Sequence, residues 1–150
     1  MKLAAALSER ADIQRRLSEL NERLQINARV QEGEKPAEDP LELLAELDGC
    51  LARYEFLVAR INLTNTAVEC DGASLTELLA HRDVLGRRLG ILRSFLDSAS
   101  RLTDRYSLAE IKVSSSVDVA ALRKDVDAAS KELRLLDEKI QEINWTTELL

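Results

Sequence analysis

The chain has 150 residues, with 27 acidic against 21 basic side chains, a formal net charge of −6, 45% hydrophobic residues and 32% charged residues. Aromatics at 3%, five glycines and two prolines exclude a β-sandwich, a collagen-like chain and a low-complexity disordered chain. What remains is the composition of long helices, in a chain long enough to bury roughly two thirds of its unfolded surface as one domain over 1–150.

Leu3, Ala6, Arg10, Ile13, Leu17, Leu20, Leu24 and Asn27 recur at three-four spacing, which predicts a first helix over 2–30. Gly33, Pro36 and Pro40 break it, and Glu32, Glu34, Glu38 and Asp39 against Lys35 make 31–40 an acidic loop. Asp39, Pro40 and Glu42 then supply a capping oxygen, a proline for the first helical position and a carboxylate near the positive helix end. They start a second helix over 40–66. Its stripe is Leu44, Leu47, Leu51, Tyr54, Val58, Ile61 and Asn65, with Leu43, Cys50 and Leu57 as a second stripe beside it. An apolar face this wide calls for more than one neighbouring helix.

Asp71-Gly72 ends that run, and Ser74 with Glu77 has capping-box spacing ahead of a third helix over 75–100. Leu75, Leu78, Arg82, Leu85, Leu89, Leu92 and Leu96 form its seam. Ile111-Lys112-Val113-Ser114 and the serines after it fit no helical stripe, so 103–117 is expected to be an ordered extended arm containing a short strand. Val119, Leu122, Val126, Ala129, Leu133, Leu136, Ile140, Ile143 and Thr147 give the most regular seam and a fourth helix over 118–148. Four helices of matched length on compact connections make an all-α protein, an antiparallel four-helix bundle or coiled-coil-like assembly. The same leucines would serve a bundle within one chain or between chains.

No phosphate-binding loop, nucleophile elbow or dinucleotide glycine fingerprint is present. No carboxylate occupies a seam, and the single histidine, His81, flanks the third seam together with Glu77. That pair reads as solvated, so no metal or cofactor is expected, no catalytic residue is assigned, and the protein reads as non-enzymatic. Arg10, Asn65 and Arg82 interrupt the seams toward one pole of an up-down arrangement, near Asn62, Asn144 and Trp145. A polar layer that fixes alignment and subunit number is the reading, with a small anion site between the two arginines as the alternative. The opposite pole gathers Arg29, Glu32, Glu34, Asp39, Asp104, Arg105, Tyr106, Glu110 and Lys112. It is either a solvated end or a subunit contact anchored by Arg105 and Tyr106.

The third helix is basic, with Arg82, Arg87, Arg88 and Arg93 against Asp83, and its Gly86 and Gly90 suggest close approach of another helix. Cys50 and Cys70, about 30 Å apart along a helix, cannot bridge. Two free thiols, the absence of a secretory core in 1–6 and the lack of a spanning run point to the cytoplasm. The acidic balance gives no field for nucleic acid or an anionic membrane.

The string Asn27-Ala28-Arg29-Val30-Gln31-Glu32-Gly33-Glu34-Lys35-Pro36-Ala37-Glu38-Asp39-Pro40, the stretch Ile61-Asn62-Leu63-Thr64-Asn65, Asp104-Arg105-Tyr106-Ser107 with Glu110-Ile111-Lys112, and Gln141-Glu142-Ile143-Asn144-Trp145 resemble a family of small bacterial proteins that carries the name septicolysin. The resemblance runs along nearly the whole chain. Its name implies a membrane-active cytolysin, and it transfers no catalytic residue. Thiol-activated cytolysins are β-rich with a Trp-rich, Cys-containing motif, whereas this chain has one tryptophan, Trp145, and helices with broad charged faces. The sequence therefore favours a self-associating helical scaffold or binding protein, a homo-oligomer, over a cytolysin or a ligand-binding bundle.

Overall fold

The computed structural model describes residues 1–102 and 112–150. Its elements are α1 (Leu3–Asn27), α2 (Pro40–Ala67), β1 (Glu69–Cys70), β2 (Ala73–Ser74), α3 (Leu75–Ser100) and α4 (Val119–Thr146). Among the described residues the chain is all-α but for one small hairpin and an isolated bridge. Residues 103–111, which hold most of the expected arm, lie outside the described residues.

The helix starts follow from local chemistry. Asp39 adopts extended backbone and its carboxylate accepts from the Leu41 N–H at 2.9 Å, with Pro40 at the first helical position. Asp118 does the same for α4, accepting from the Ala121 N–H at 3.0 Å. Both satisfy backbone donors that a helix leaves open at its N-terminus. Between α2 and α3 the chain does more than stop and restart. Glu69 pairs with Ser74 and Cys70 with Ala73 in an antiparallel hairpin, whose two central residues, Asp71 (φ 52°) and Gly72 (φ 81°), both lie in the left-handed region. Positive φ at both positions is what a two-residue turn matched to strand twist requires.

Two compact units result. The first comprises residues 1–74 and 142–150, the second residues 75–141.

In the first unit α1 and α2 run antiparallel. Leu3, Ala6 and Leu20 of α1 are buried, as are Leu43, Leu57 and Ile61 of α2. The covered stripe of α2 is thus the one through Leu43 and Leu57, while Leu44 and Leu51 of the adjacent stripe are each 45% exposed. The segment after α4 closes against one end of this pair, where α1 begins and α2 finishes. Lys2 and Glu148 form an antiparallel bridge, the Leu3 N–H donates to the Thr147 carbonyl at 2.9 Å, and the Leu149 N–H donates to the Met1 carbonyl at 2.8 Å. Thr64 is fully buried; its hydroxyl donates to the Arg60 carbonyl at 2.8 Å and accepts from the Leu150 N–H at 3.0 Å. A buried polar group is tolerated when both capacities are used in this way.

In the second unit α3 and α4 are also antiparallel. Leu89, Val126 and Ala129 form the buried centre, with Leu92, Leu96 and Leu133 packed on it. The flank of α3 about a quarter turn from this core is apolar too: Val84, Ile91 and Phe95 are exposed.

Candidate functional site

The polar chemistry of the first unit is concentrated on the α1–α2 seam. Glu9 takes a two-pronged contact from Arg53, Nε to Oε1 at 2.7 Å and Nη2 to Oε2 at 2.9 Å. Arg16 Nε donates to Glu46 at 2.6 Å, and Arg23 Nε donates to Glu38 at 3.0 Å. Glu9, Arg16 and Arg23 recur every seven residues on α1, so all three face the same flank of α2 and the loop before it. Arg53 also lies over the Phe56 ring, 5.1 Å from its centroid. The hydrogen bond from Arg53 holds the Glu9 carboxyl below the ordinary carboxylate range, and the one from Arg23 does the same for Glu38.

A lowered carboxylate has a definite effect on acid stability. The contribution is present above the ordinary carboxylate pKa and is lost as pH falls through the lower folded-state value. Urea midpoints measured from pH 7 to pH 3 should therefore fall. They should fall less in Arg53→Gln, which has already lost the Glu9 contribution. Equal slopes in the two proteins would show that Glu9 adds nothing.

Asn27, a polar member of the α1 seam, is buried and works as a clamp. Its Nδ2 donates to the Arg23 carbonyl at 2.9 Å, and its Oδ1 accepts from the Glu38 N–H at 3.0 Å. With Arg23 on the Glu38 carboxylate, the end of the acidic loop is fastened to the last turn of α1. This contact accounts for α1 ending at Asn27 and not at 30. Arg29, Glu32 and Glu34 project from the same loop and are exposed. Asp39 is committed to capping α2. Lys112 is exposed, and Asp104, Arg105, Tyr106 and Glu110 lie outside the described residues.

The expected polar layer draws on both units. Arg10 and Asn65 are half-buried in the first, and Arg10 Nε is the one fully buried side-chain polar atom among the described residues that lacks a hydrogen-bond partner. Arg82 belongs to the second unit and faces Asp137 at 3.8 Å. His81, one residue before it, lies 3.7 Å from Glu132.

An open groove of about 550 Å³ runs along the second unit. Leu89 and Leu133 form its apolar floor, and Arg93, Arg134, Asp137 and Glu138 stand at its rim. Arg93 donates to Ser130 Oγ across it at 3.2 Å, and Arg134 is tied to Glu138 at 2.6 Å. Among the described residues nothing lies within 4 Å of where a Cβ would stand on Gly86 or Gly90. The close helix approach expected there is not made. No group of three or more His, Cys, Asp or Glu side chains among the described residues has metal-binding geometry. No helix among them is long and apolar enough to cross a membrane.

The cross-helix pairs Glu9–Arg53, Arg16–Glu46 and Arg23–Glu38 went unseen in the sequence. The seven-residue recurrence of charge at Glu9, Arg16 and Arg23 is the signal that would have found them.

Residues 10–149 match the model of a family of unknown function, DUF6847. No curated protein matches the chain. Among solved structures it is similar to a functionally unknown conserved protein from Corynebacterium diphtheriae, with 44% identity, a TM-score of 0.92, and coverage of 100% of this chain and 99% of that one. Neither match carries a cytolysin name or an activity.

Proposed function

The chain belongs to the family of unknown function DUF6847, and we propose that it acts as a non-enzymatic helical binding protein that associates with itself through its helix faces. The observation that carries this reading is the doubled stripe of α2. One of two heptad-spaced leucine stripes meets α1, while in the other, which is buried at Ile61, Leu44 and Leu51 remain 45% exposed. A heptad stripe is a seam for a second helix, and exposed apolar surface of this kind marks interaction sites. The exposed charges of the acidic loop, Arg29, Glu32 and Glu34, extend the surface available to a partner. A cytoplasmic setting agrees with the free thiols of Cys50 and Cys70.

Native mass spectrometry at micromolar concentration tests the proposal. A discrete multimer of the 16.8 kDa chain without added mass is expected. A monomer carrying a stoichiometric small adduct would overturn it in favour of a ligand-binding bundle. The unpartnered Nε of Arg10 favours that second reading, and Arg10, Asn65 and Arg82 would be the residues to change. The cytolysin implied by the septicolysin resemblance requires an apolar surface turned to lipid, against the charged helix faces described above.

A further inference from the structure

Two uncovered helix faces of opposite charge stand out. On α2, Leu44 and Leu51 are 45% exposed, and Asp48 and Glu55, on the same side of the helix, are exposed with no ion-pair partner among the described residues. On α3, Val84, Ile91 and Phe95 form a line beside the core stripe at 61, 70 and 44% exposure. Arg88 stands within that line by its spacing of four and three residues from Val84 and Ile91. It too is exposed and has no carboxylate partner among the described residues, whereas its neighbour Arg87 is bound to Asp83 at 2.9 Å.

We propose that these faces are the two halves of one contact between copies of this chain: α2 of one copy lies along α3 of a second, apolar line on apolar line, with Asp48 and Glu55 facing Arg88. This rests on the self-association reading and specifies its surface. The charges select the pairing. Joining α2 to α2 would bring Asp48 and Glu55 against their own kind, and joining α3 to α3 would bring Arg88 against Arg88. Like charges set opposite one another cost affinity and deter the wrong partner. Over 44–55 of α2 and 84–95 of α3 the mixed pairing matches sign as well as hydrophobicity, and every copy carries both halves.

The test is sedimentation equilibrium of the full chain, of Arg88→Glu, of the double variant Asp48→Lys with Glu55→Lys, and of the two variants mixed in equal amounts. The wild type is expected to associate. Each charge-reversed protein should associate at least tenfold more weakly, and the mixture should regain the wild-type affinity because every contact in it again joins opposite charges. Ile91→Ser should weaken association without altering charge. All of these positions are exposed, so circular dichroism and the melting temperature at monomeric concentration should be unchanged. A wild type that stays monomeric at 100-fold the concentration used for the melts would overturn self-association itself. A wild type that associates but is indifferent to both reversals, or variants that fail to rescue one another, would overturn this contact and leave self-association standing.

Discussion

Leu57→Ala is expected to lower the stability of the first unit by about 3 kcal/mol, within the range seen when a buried leucine is truncated and its surroundings close only partly over the gap. Leu57 is fully buried on α2. The comparison that gives the result meaning is Leu51→Ala, six residues earlier, where the side chain is 45% exposed. That change should cost well under about 1 kcal/mol in the monomer, since little apolar surface returns to water. Urea unfolding followed by circular dichroism measures both. Equal losses would mean that α1 divides its contact between the two stripes of α2. The reverse order would place the intramolecular seam on the wrong stripe.

Asn27→Ala is expected to cost about 2 kcal/mol. The change removes the acceptor of the Glu38 N–H and the donor to the Arg23 carbonyl together, at a buried position where an unmade hydrogen bond carries its full desolvation penalty. Most of the effect should be local. Hydrogen exchange at the Glu38 amide should accelerate strongly while the amides of central α2 stay protected, because loops open at lower free energy than the helices they join. An unchanged Glu38 exchange rate would show that Arg23 alone holds the loop.

The ends of the helices were readable because each is written in a few adjacent residues. Asp39 and Pro40 announce α2 on their own, and α3 occupies 75–100 as its seam predicts. The end of α1 was misjudged because Asn27 reads as one more seam position, and its role depends on a partner eleven residues away. The hairpin at 69–74 was missed although Asp71-Gly72 is a strong turn signal. The strands are two residues each, too short for alternation to appear. On α2 the heptad spacing identified both stripes but not that Leu44 and Leu51 of the first stay exposed, since periodicity counts leucines and cannot say which of them a neighbour reaches. Of the candidate surface, Asp39 is occupied by capping, the charges of the acidic loop are exposed, and Arg82 has Asp137 beside it. The uncovered apolar residues of α2 and of α3 become visible only when burial separates one side of a helix from the other.

The single reversal of sign along the α1–α2 ladder, between Glu9 and the arginines Arg16 and Arg23, has a consequence for how the two helices find one another. Leucine stripes that repeat every seven residues mesh nearly as well when one helix slides a full heptad along the other. Sliding one way would set Glu9 against Glu46, and sliding the other way would set Arg16 against Arg53. Because Glu9 opposes the sign of Arg16 and Arg23, each misaligned hairpin carries a like-charge encounter that the native alignment lacks. The ladder therefore behaves as a vernier, admitting a single setting from a hydrophobic pattern that would tolerate several. Since these side chains are partly solvated, concentrated salt would blur the scale, and misaligned hairpins would then compete during refolding.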